Sequence, residues 1–363
     1  MGEHIAGRIR AEGPITVAEF MAEALYHPVH GYYMTRDPFG SVGDFTTSPE
    51  ISQMFGELVG VWCTERWQAI GRPESINLLE LGPGRGTMMS DVLRAASAQP
   101  KFFNGISVHL VEISNVLRER QRSMLAKSVA SADVLHWHVG LESLPPGPLL
   151  VLANEFLDAL PIQQFELTTE GWCERQITTD EIGFRFLLSS PLLSPATVIP
   201  RIIDERSDVG AIFETRPDAT RIARQIAVHI SQHNGAALFI DYGHKVSSVG
   251  DTLQAIRGHR KCEPLSEPGS ADLTAHVDFG AFGQAAGDLV KIHGPVTQGA
   301  FLKRLGIDLR AEILARNTTK RATNSIAAAH HRLVDNDQMG DLFKVMALTN
   351  HNIEAPPGFA DPP

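Results

Sequence analysis

The chain has 363 residues, of which 43% are hydrophobic and 20% are charged. This balance is typical of a folded globular protein and excludes a wholly disordered chain, a coiled coil and a collagen. Acidic residues outnumber basic ones by 42 to 32, and the net charge of −10 argues against binding of a nucleic-acid backbone. At about 150 residues per domain, the length predicts two domains or one large α/β domain with insertions.

The three cysteines, Cys63, Cys173 and Cys262, are odd in number and far apart in the sequence. A disulfide framework is therefore not expected, and a reducing compartment is favoured. No stretch reaches the roughly 18 apolar residues of a membrane-spanning helix, so no membrane insertion is expected. The first residues, MGEHIAGRIRAEG, contain no apolar core of a secretory signal, and we interpret the protein as cytoplasmic. Nothing in the sequence indicates the oligomeric state.

The first 75 residues are predicted to form a helical and loop extension packed on the core. Thr16 and Glu19 have the spacing of a capping box at the start of a helix, which Pro28 ends. The next stretch, GYYMTRDPFGSVGDFTTSPEIS, is rich in glycine, proline, aromatic and hydroxyl residues and predicts an ordered loop before a helix over residues 51–70. Four polar residues of this stretch either line a lid over a ligand or form a capped helix start: Asp44, Thr47, Ser48 and Glu50.

From residue 76 onwards, short apolar runs alternate with helical patterns, which is typical of a parallel, doubly wound sheet. The predicted strands cover residues 76–81, 106–111, 134–138, 149–153, 237–240, 289–293 and 343–348. Helices are predicted over residues 87–98, up to about residue 130, and over 218–233. A run of β-hairpins starting near residue 162 predicts an inserted antiparallel segment. We therefore expect an α/β domain over residues 76–350 with an insertion at about 162–215, followed by a tail over residues 351–363.

The most informative motif is LLELGPGRGT, residues 78–87, which combines a buried strand, a glycine-rich turn and a helix start. Its glycines are Gly82, Gly84 and Gly86. Such a turn lets a ligand approach the backbone N–H groups at the helix N-terminus. A dinucleotide site requires a glycine at position 87, which is Thr87 here. Gly-x-Gly-x-Gly after a strand with an acidic residue, here Glu80, resembles the cofactor loop of class I S-adenosylmethionine (SAM)-dependent methyltransferases. A tight turn without a ligand is the alternative.

An acidic residue also follows the second strand of the predicted sheet. Glu112 lies 26 residues after Gly86. At the tip of this strand, it is placed to accept hydrogen bonds from both hydroxyl groups of a ribose. Capping of the next helix is the alternative interpretation. Glu112, Glu80 and the three glycines are the predicted cofactor-binding residues.

Three polar residues, Asn154, Glu155 and Asp158, follow the fourth strand, at the edge where ligands bind in a doubly wound sheet. Glu155 and Asp158 are three residues apart, so on a helical turn they would share a face. Two carboxylates at this position favour a cationic or N–H-rich substrate. The alternative is a helix start, with Asn154 as its cap and Glu155 stabilised by the helix dipole.

Five segments, in chain order, resemble the MidA-like family: GDFTTSPEIS, LLELGPGRGTMMSDVLRA, HLVEIS, LVLANEFLDALPIQQF and FIDYGH. The resemblance runs from about residue 5 to 350. Eukaryotic members of this family are mitochondrial arginine methyltransferases that assist assembly of respiratory complex I. The resemblance implies a class I, Rossmann-like methyltransferase fold, SAM as cofactor, and methylation of arginine on a protein substrate, with symmetric dimethylarginine as the product in those members. It suggests a complex I subunit as the partner.

An arginine acceptor constrains the chemistry. Guanidinium is protonated up to a pKa above about 12, so one proton must leave as the methyl group is transferred. A carboxylate pair would bind this cation bidentately and offset its charge. Glu155 is the predicted clamp, Asp158 the second carboxylate or orienting group, and Asn154 a polar group beside them.

Two other functions stay open. One is a SAM-binding assembly or interaction protein with little or no catalysis, and the other is a nicotinamide-dependent oxidoreductase, which the glycine spacing disfavours. His276 and Asp278, in the stretch DLTAHVDF, are a candidate acid–base pair. The histidine pairs at 136 and 138 and at 330 and 331 have no second ligand cluster beside them, so no metal is predicted.

Overall fold

The structure is a computed structural model. It describes residues 1–38, 40, 43–44, 46–129, 131–316 and 318–359. Three parts of the sequence interpretation lie outside the described residues: positions 39, 41, 42 and 45 of the predicted ordered loop, Ala130 as the predicted end of a helix, and residues 360–363 of the predicted tail.

The strands within the described residues are, in chain order, β1 (Ile15–Thr16), β2 (Ile76–Leu81), β3 (Ile106–Val111), β4 (Leu135–His138), β5 (Leu149–Asn154), β6 (Gln163–Thr168), β7 (Gly171–Thr179), β8 (Phe184–Pro191), β9 (Ile212–Thr215), β10 (Gly235–His244), β11 (Gln254–Arg257), β12 (Arg260–Cys262), β13 (Asp272–Thr274), β14 (Val277–Asp278), β15 (Lys291–Thr297) and β16 (Phe343–Thr349).

The α-helices within the same residues are α1 (Gly2–Glu12), α2 (Val17–Tyr26), α3 (Tyr32–Thr35), α4 (Ser48–Ile51), α5 (Gln53–Ala69), α6 (Thr87–Ala96), α7 (Pro100–Gly105), α8 (Asn115–Leu125), α9 (Arg201–Asp204), α10 (Pro217–His233), α11 (Phe279–Ala286), α12 (Gln298–Arg304), α13 (Ile307–Arg316), α14 (Lys320–Val334) and α15 (Met339–Leu342). In the described part of the chain, every helix is too short or too polar to cross a lipid bilayer.

The chain folds as two compact units. The sheet unit comprises residues 46–157, 222–243 and 283–363, and the insert unit comprises residues 1–45, 158–221 and 244–282. The chain thus leaves the sheet unit between Leu157 and Asp158. The two units do not coincide with the segments 1–75, 76–350 and 351–363 that the sequence analysis proposed. The division into those three segments stays a prediction.

A mostly parallel sheet forms the centre of the sheet unit, in the order β15-β16-β10-β5-β2-β3-β4. Strands β10, β5, β2, β3 and β4 are parallel, and β16 and β15 are added antiparallel at one side. The middle strand β5 is buried along its whole length, as expected for a parallel sheet with both faces covered. The predicted doubly wound α/β fold is confirmed. The carboxyl ends of β2, β3, β5 and β10 meet at one edge of the sheet, which we call the ligand edge.

Two strands extend beyond the apolar runs that predicted them. β10 begins at Gly235, which has no side chain and therefore does not extend the hydrophobic pattern of the strand. A glycine is required there, because a Cβ would lie 2.1 Å from the carbonyl oxygen of Leu149. β15 continues to Thr297, past polar residues and a shift in pairing with β16 between His293 and Val296. The bulge interrupts the side-chain alternation, so the second half of β15 has no clear strand pattern.

Helix α5 packs closely on α6 in the core of the sheet unit. A Cβ on Gly56 would lie 2.5 Å from Asp91 Cβ, and a Cβ on Gly60 would lie 2.7 Å from Ala95 Cβ. Because neither glycine carries a side chain, the two helix backbones can approach each other at these points. The large side chain of Trp62 on α5 is fully buried in this core.

The insert unit contains the antiparallel β segment that the sequence predicts. Its main sheet has the order β1-β7-β6-β9, with β8 paired to β7, and a smaller sheet has the order β12-β11-β13. Strand β1 comes from the N-terminal region rather than from the insertion. The capping box of α2 is present, since Thr16 and Glu19 each bond the backbone N–H of the other.

Candidate active site

The glycine-rich turn joins β2 to α6 at the ligand edge. Gly82, Gly84 and Gly86 have φ angles of +59°, +54° and +86°, a region that favours glycine. A Cβ on Gly82 would also lie 2.8 Å from the ring of Phe156. Gly86 is the N-cap of α6, and within the described residues no side chain caps this helix start. The turn therefore presents backbone N–H groups at a helix N-terminus, which suits a ligand with hydrogen-bond acceptors.

Glu80 is buried in β2, two residues before the turn. Its side chain is 2% exposed, and among the described residues its Oε2 has no hydrogen-bond partner. Burial raises the pKa of this carboxyl group to about 8. A buried acceptor without a partner is costly, so Glu80 is suited to a ligand that brings a donor or a positive charge.

Glu112 is held at the end of β3 by a residue that the sequence analysis missed. The side-chain amide of Gln121 donates to Glu112 Oε2 at 3.1 Å and to the carbonyl oxygen of Gly84 at 2.7 Å, while Trp137 Nε1 donates to Gln121 Oε1 at 2.9 Å. Gln121 thus links the carboxylate to the glycine-rich turn. Ser114 is the N-cap of α8, so this helix does not require Glu112 as its cap.

The Glu112 carboxylate keeps capacity for a ligand. Its Oε1 accepts the backbone N–H of Ser114 at 2.8 Å, and each carboxylate oxygen can accept more than one hydrogen bond. Burial raises the pKa of Glu112, against the opposing effect of the bonds from Ser114 and Gln121. These contacts fix the carboxylate at the ligand edge beside the glycine-rich turn.

Asn154 and Glu155 lie at the end of β5, as predicted, but not in a helix. Glu155 has φ +51°, in the left-handed region that non-glycine residues seldom adopt, and residues 155–158 form bends and a turn. The expectation that Glu155 and Asp158 share a helical face is therefore wrong. The alternative of a helix start capped by Asn154 fails for the same reason.

The Glu155 carboxylate is oriented by two donors. Ser48 donates its backbone N–H to Glu155 Oε1 at 2.9 Å, and Asn154 donates its side-chain amide to the same oxygen at 3.0 Å. Asn154 is 8% exposed, and among the described residues its Oδ1 has no hydrogen-bond partner. This edge of the sheet thus combines a fixed carboxylate with an amide oxygen that can accept a further hydrogen bond.

Asp241, at the end of β10, supports the turn that follows Glu155. It is 1% exposed, and its Oδ2 accepts the backbone N–H groups of Phe156 at 3.2 Å and Leu157 at 2.9 Å. The backbone N–H of Glu155 itself bonds the carbonyl oxygen of Ile240. The sequence analysis assigned no role to Asp241, because the partners of its side chain lie 84 and 85 residues away.

Glu50 and Ser48 belong to the short helix α4, which lies against the glycine-rich turn. Glu50 accepts a hydrogen bond from Thr87 Oγ1 at 2.5 Å, and its Oε2 lies 3.7 Å from Arg85 Nη1. Of the four candidate lid residues, Thr47, Ser48 and Glu50 are in the sheet unit, whereas Asp44 is in the insert unit. There Asp44 accepts hydrogen bonds from the hydroxyl of Tyr32 and the backbone N–H of Gly258.

Asp158 begins the part of the insert unit that follows β5. Its side chain is buried and accepts the backbone N–H of Ala159 at 2.9 Å. Its carbonyl oxygen accepts hydrogen bonds from Ala275 and from the guanidinium of Arg216. The role of Asp158 as a second carboxylate stays a prediction from its position in the sequence.

The candidate pair His276 and Asp278 also lies in the insert unit. Burial alone would raise the pKa of Asp278, but its interactions with His244, Ser247 and the backbone N–H of Ala281 outweigh burial and lower the pKa. His276 donates its backbone N–H to Thr252 Oγ1. The histidine that faces the Asp278 carboxylate is thus His244, with Nε2 at 3.8 Å.

Two groups of side chains in the described part of the chain have ligand atoms within 4.8 Å of one another: His4, Glu23 and His27, and His331, Asp335 and Asp337. Neither group includes a residue of the ligand edge. In the first group, His27 Nδ1 already accepts backbone N–H bonds from Val29 and His30 at 3.2 Å, so its other nitrogen carries the proton of the neutral ring. That tautomer opposes metal binding through Nε2.

Residues 58–296 match the family model of S-adenosyl-L-methionine-dependent methyltransferases. The chain is 38% identical over 370 residues to "Protein arginine methyltransferase NDUFAF7, mitochondrial" of Danio rerio, covering 96% of this chain and 86% of that protein. It is 37% identical over 374 residues to the Homo sapiens protein of the same name, covering 97% and 83%. A solved structure from Burkholderia thailandensis with bound S-adenosyl-homocysteine (SAH) has a TM-score of 0.84 at 28% identity, covering 98% of this chain and 93% of that one.

The Danio rerio and Homo sapiens relatives contradict the cytoplasmic location that the sequence predicted, since both are named as mitochondrial proteins. That prediction rested on the composition of the first residues and the small number of cysteines. Neither property distinguishes the matrix of an organelle from the cytoplasm, because a folded domain has the same core in either compartment.

The ligand edge fits SAM, in which a sulfonium joins the ribose of an adenosyl group to an amino-acid chain that ends in an ammonium and a carboxylate. Glu80 would provide a buried oxygen atom for its donors and positive charge, and Glu112 would provide a carboxylate for the ribose hydroxyls. The glycine-rich turn leaves backbone N–H groups at the start of α6 for a carboxylate. With the family match over residues 58–296 and relatives that align along nearly the whole chain, the protein belongs to the family of S-adenosyl-L-methionine-dependent methyltransferases.

Proposed function

We propose that this protein methylates the guanidinium group of an arginine in a protein substrate, and that this substrate is a subunit of respiratory complex I. The observation that carries the proposal is the Glu155 carboxylate, held at the end of β5 by the Ser48 amide and Asn154. A fixed carboxylate at the ligand edge suits a cationic acceptor. The names of the relatives, which are arginine methyltransferases, support the same acceptor.

SAM, when bound, supplies a methyl group on a sulfonium for in-line displacement. The protein contributes position and charge rather than a covalent step. Glu80, Gly82, Gly84, Gly86 and Glu112 are the proposed cofactor-binding residues. Of these, Glu112 is already held in place by Gln121 before any ligand arrives. Such preorganisation avoids the cost of orienting the group when the ligand binds.

Glu155 is the proposed clamp for the acceptor. The Ser48 backbone N–H and the Asn154 side-chain amide both bond its Oε1, which sets the orientation of the carboxylate. Its negative charge stabilises the guanidinium near the methyl donor and holds the proton that one nitrogen must release. The Oδ1 of Asn154 offers an acceptor for a further N–H of the same guanidinium. Asp158 is the proposed second carboxylate on its place in the sequence alone, and Asp158→Asn tests it.

The test compares arginine methylation by mass spectrometry in strains with and without this gene, beginning with complex I subunits. We expect at least one methylated arginine to disappear in the deletion strain and to return with the parent protein. Glu155→Gln should not restore it, whereas Glu119→Gln should, because Glu119 is an exposed carboxylate on α8 paired with Arg122.

The competing function, a SAM-binding assembly protein with little or no catalysis, predicts a different result. Methylarginine would then be the same in all strains, while complex I assembly would still depend on the gene. Binding of SAH by the purified protein would persist under both functions, so it does not distinguish them. The methylarginine measurement therefore decides between enzyme and assembly protein.

A further inference from the structure

Helix α4, residues Ser48–Ile51, contacts the ligand edge at two separate points. Its first residue, Ser48, donates its backbone N–H to the Glu155 carboxylate after β5. Its third residue, Glu50, contacts the glycine-rich turn after β2 through Thr87 and Arg85. A single turn of helix thus contacts both the glycine-rich turn and the carboxylate proposed for the acceptor. All five residues lie in the sheet unit.

The contact of Glu50 falls where α6 begins. Thr87 is the first residue of α6, directly after Gly86 with its left-handed backbone. Its hydroxyl donates to Glu50 Oε1, and a hydrogen bond to a carboxylate is charge-assisted. A carboxylate near a helix N-terminus is also favoured by the helix dipole. Glu50 thereby restrains the one end of the glycine-rich turn that has no side-chain cap among the described residues.

The other end of the turn is restrained by a different element. Gln121 of α8 bonds the carbonyl oxygen of Gly84, and the backbone N–H of Gly82 bonds that of Val111. Between Gly84 and Thr87, Arg85 Nη1 lies 3.7 Å from Glu50 Oε2 of α4. Loss of Glu50 would therefore remove two contacts from the second half of the turn, those to Thr87 and Arg85, and none from the first half.

We propose that Glu50 is a positioning residue of the cofactor site, which acts by holding Thr87 and Arg85 so that the glycine-rich turn is ordered before the cofactor binds. Glu50 itself need not touch the cofactor. Since α4 also carries the Ser48 amide, Glu50 also fixes the distance between the glycine-rich turn and Glu155. The role of Glu50 in ordering the turn depends only on cofactor binding, whereas its role in setting this distance rests on the proposed function of Glu155.

The test is a double-mutant cycle read out as the dissociation constant of SAH by calorimetric titration. Glu50→Ala and Thr87→Val each remove one side of the same hydrogen bond. Each should weaken SAH binding by about five- to tenfold, the range expected when a charge-assisted bond that orders a loop is lost. The double variant should bind no more weakly than about the weaker single variant, because the bond can be lost only once.

Two further variants serve as controls. Glu50→Gln keeps an oxygen for the Thr87 hydroxyl, and it should restore most of the affinity that Glu50→Ala loses. Glu119→Ala removes an exposed carboxylate from α8 and should leave SAH binding within about twofold of the parent, as surface ion pairs contribute little. If Glu50→Ala does not fold, Thr87→Val carries the test alone, and SAH binding by that variant as tight as by the parent overturns the proposal.

The proposal is overturned if folded variants at both positions bind SAH as well as the parent, or if their effects multiply in the double variant. A purely structural role would lower the melting temperature without SAH and leave the affinity unchanged, which also overturns it. Failure of the proposed function would be seen elsewhere. If the protein does not methylate arginine, no variant changes the amount of methylarginine. The double-mutant cycle on SAH binding still tests the role of Glu50 in that case.

Discussion

The backbone amide of Ser48 donates a 2.9 Å hydrogen bond to the carboxylate of Glu155, although 107 residues separate the two in the sequence. Glu155 pairs this contact with a left-handed backbone, so its side chain leaves the end of β5 in a direction that ordinary strand geometry does not provide. The structure maintains this uncommon conformation through bonds from three elements: α4, β5 and β10.

This contact gives the first prediction, which concerns Ser48→Pro. Proline lacks the N–H, but it is accepted at the first position of a helix, and Thr47 already has φ −78° and ψ 162°, as a residue before proline should. The substitution should leave SAH affinity within about twofold and lower turnover by about tenfold, the effect of one lost hydrogen bond to a charged group. The measurements are steady-state methylation kinetics and SAH titration.

Ser48→Ala is the matched control for this prediction. It keeps the backbone N–H and removes only the hydroxyl, which lies 3.5 Å from Gln298 Oε1. Turnover close to that of the parent is expected. Equal losses in the two variants would mean that the side chain rather than the amide matters, and would contradict the role that we assign to this bond.

Much of the ligand edge could be predicted from the sequence, because its determinants are local. The strand, the glycines and the helix start of residues 78–87 follow one another directly, and Glu112 ends its own strand. The contacts that orient these groups could not be predicted in this way. Gln121 reaches Gly84 across 37 residues, and the bonds of Asp241 cross 84 and 85 residues. A glutamine or an aspartate leaves no periodic pattern that reveals a distant partner.

The region after β5 shows a different limit of sequence reasoning. Spacing of three residues between Glu155 and Asp158 suggested a helical face, but the chain turns with a left-handed residue at Glu155 and then enters the insert unit. Backbone angles of this kind are imposed by tertiary bonds, here from Asp241 to Phe156 and Leu157, and not by the propensity of glutamate.

The second prediction concerns the link between Gln121 and Glu112. Glu112→Ala removes the proposed ribose ligand and should weaken SAH binding by at least about tenfold. Gln121→Leu keeps the bulk but removes the bonds to Glu112 and Gly84, and it should weaken binding by a smaller factor, about three- to fivefold. Calorimetric titration measures both. An unchanged dissociation constant in folded Glu112→Ala would refute the ribose assignment.

The third prediction is a pH dependence caused by Glu80. Its pKa is about 8 in the folded protein, against a usual value of 4.5. Between these values the folded state holds a proton that the unfolded state releases, so the contribution of Glu80 to stability falls as pH rises from about 4.5 to about 8. Glu80→Gln cannot titrate. The melting temperature of the parent should therefore fall relative to that of the variant between about pH 4.5 and pH 8. Above pH 8 the difference between the two melting temperatures should stay constant.

Scanning calorimetry without ligand, at several pH values between 5 and 9, measures this difference. Asp91, whose burial also raises its pKa, to about 6, is present in both proteins and cancels in the comparison. Melting temperatures that run parallel over the whole range would show that Glu80 is not protonated in the folded state. A partner for its Oε2 would then have to exist without the cofactor.

The last prediction separates an enzyme from an assembly protein through Glu155→Gln. Glutamine keeps the size of the side chain and an oxygen for the Ser48 amide, but it removes the charge. SAH should bind about as well as to the parent, whereas turnover should fall by about 100- to 1000-fold, as is usual when a preorganised electrostatic partner is lost.

A purely structural Glu155 predicts the opposite pattern for the same substitution. The carboxylate accepts bonds from Ser48 and Asn154, so its replacement would then lower the melting temperature while leaving turnover per folded molecule unchanged. Measuring turnover, SAH affinity and melting temperature on one preparation distinguishes the two patterns. Full methylation activity in Glu155→Gln would move the acceptor clamp away from β5, and Asp158→Asn would then be the next variant to measure, because Asp158 is the nearest carboxylate along the chain.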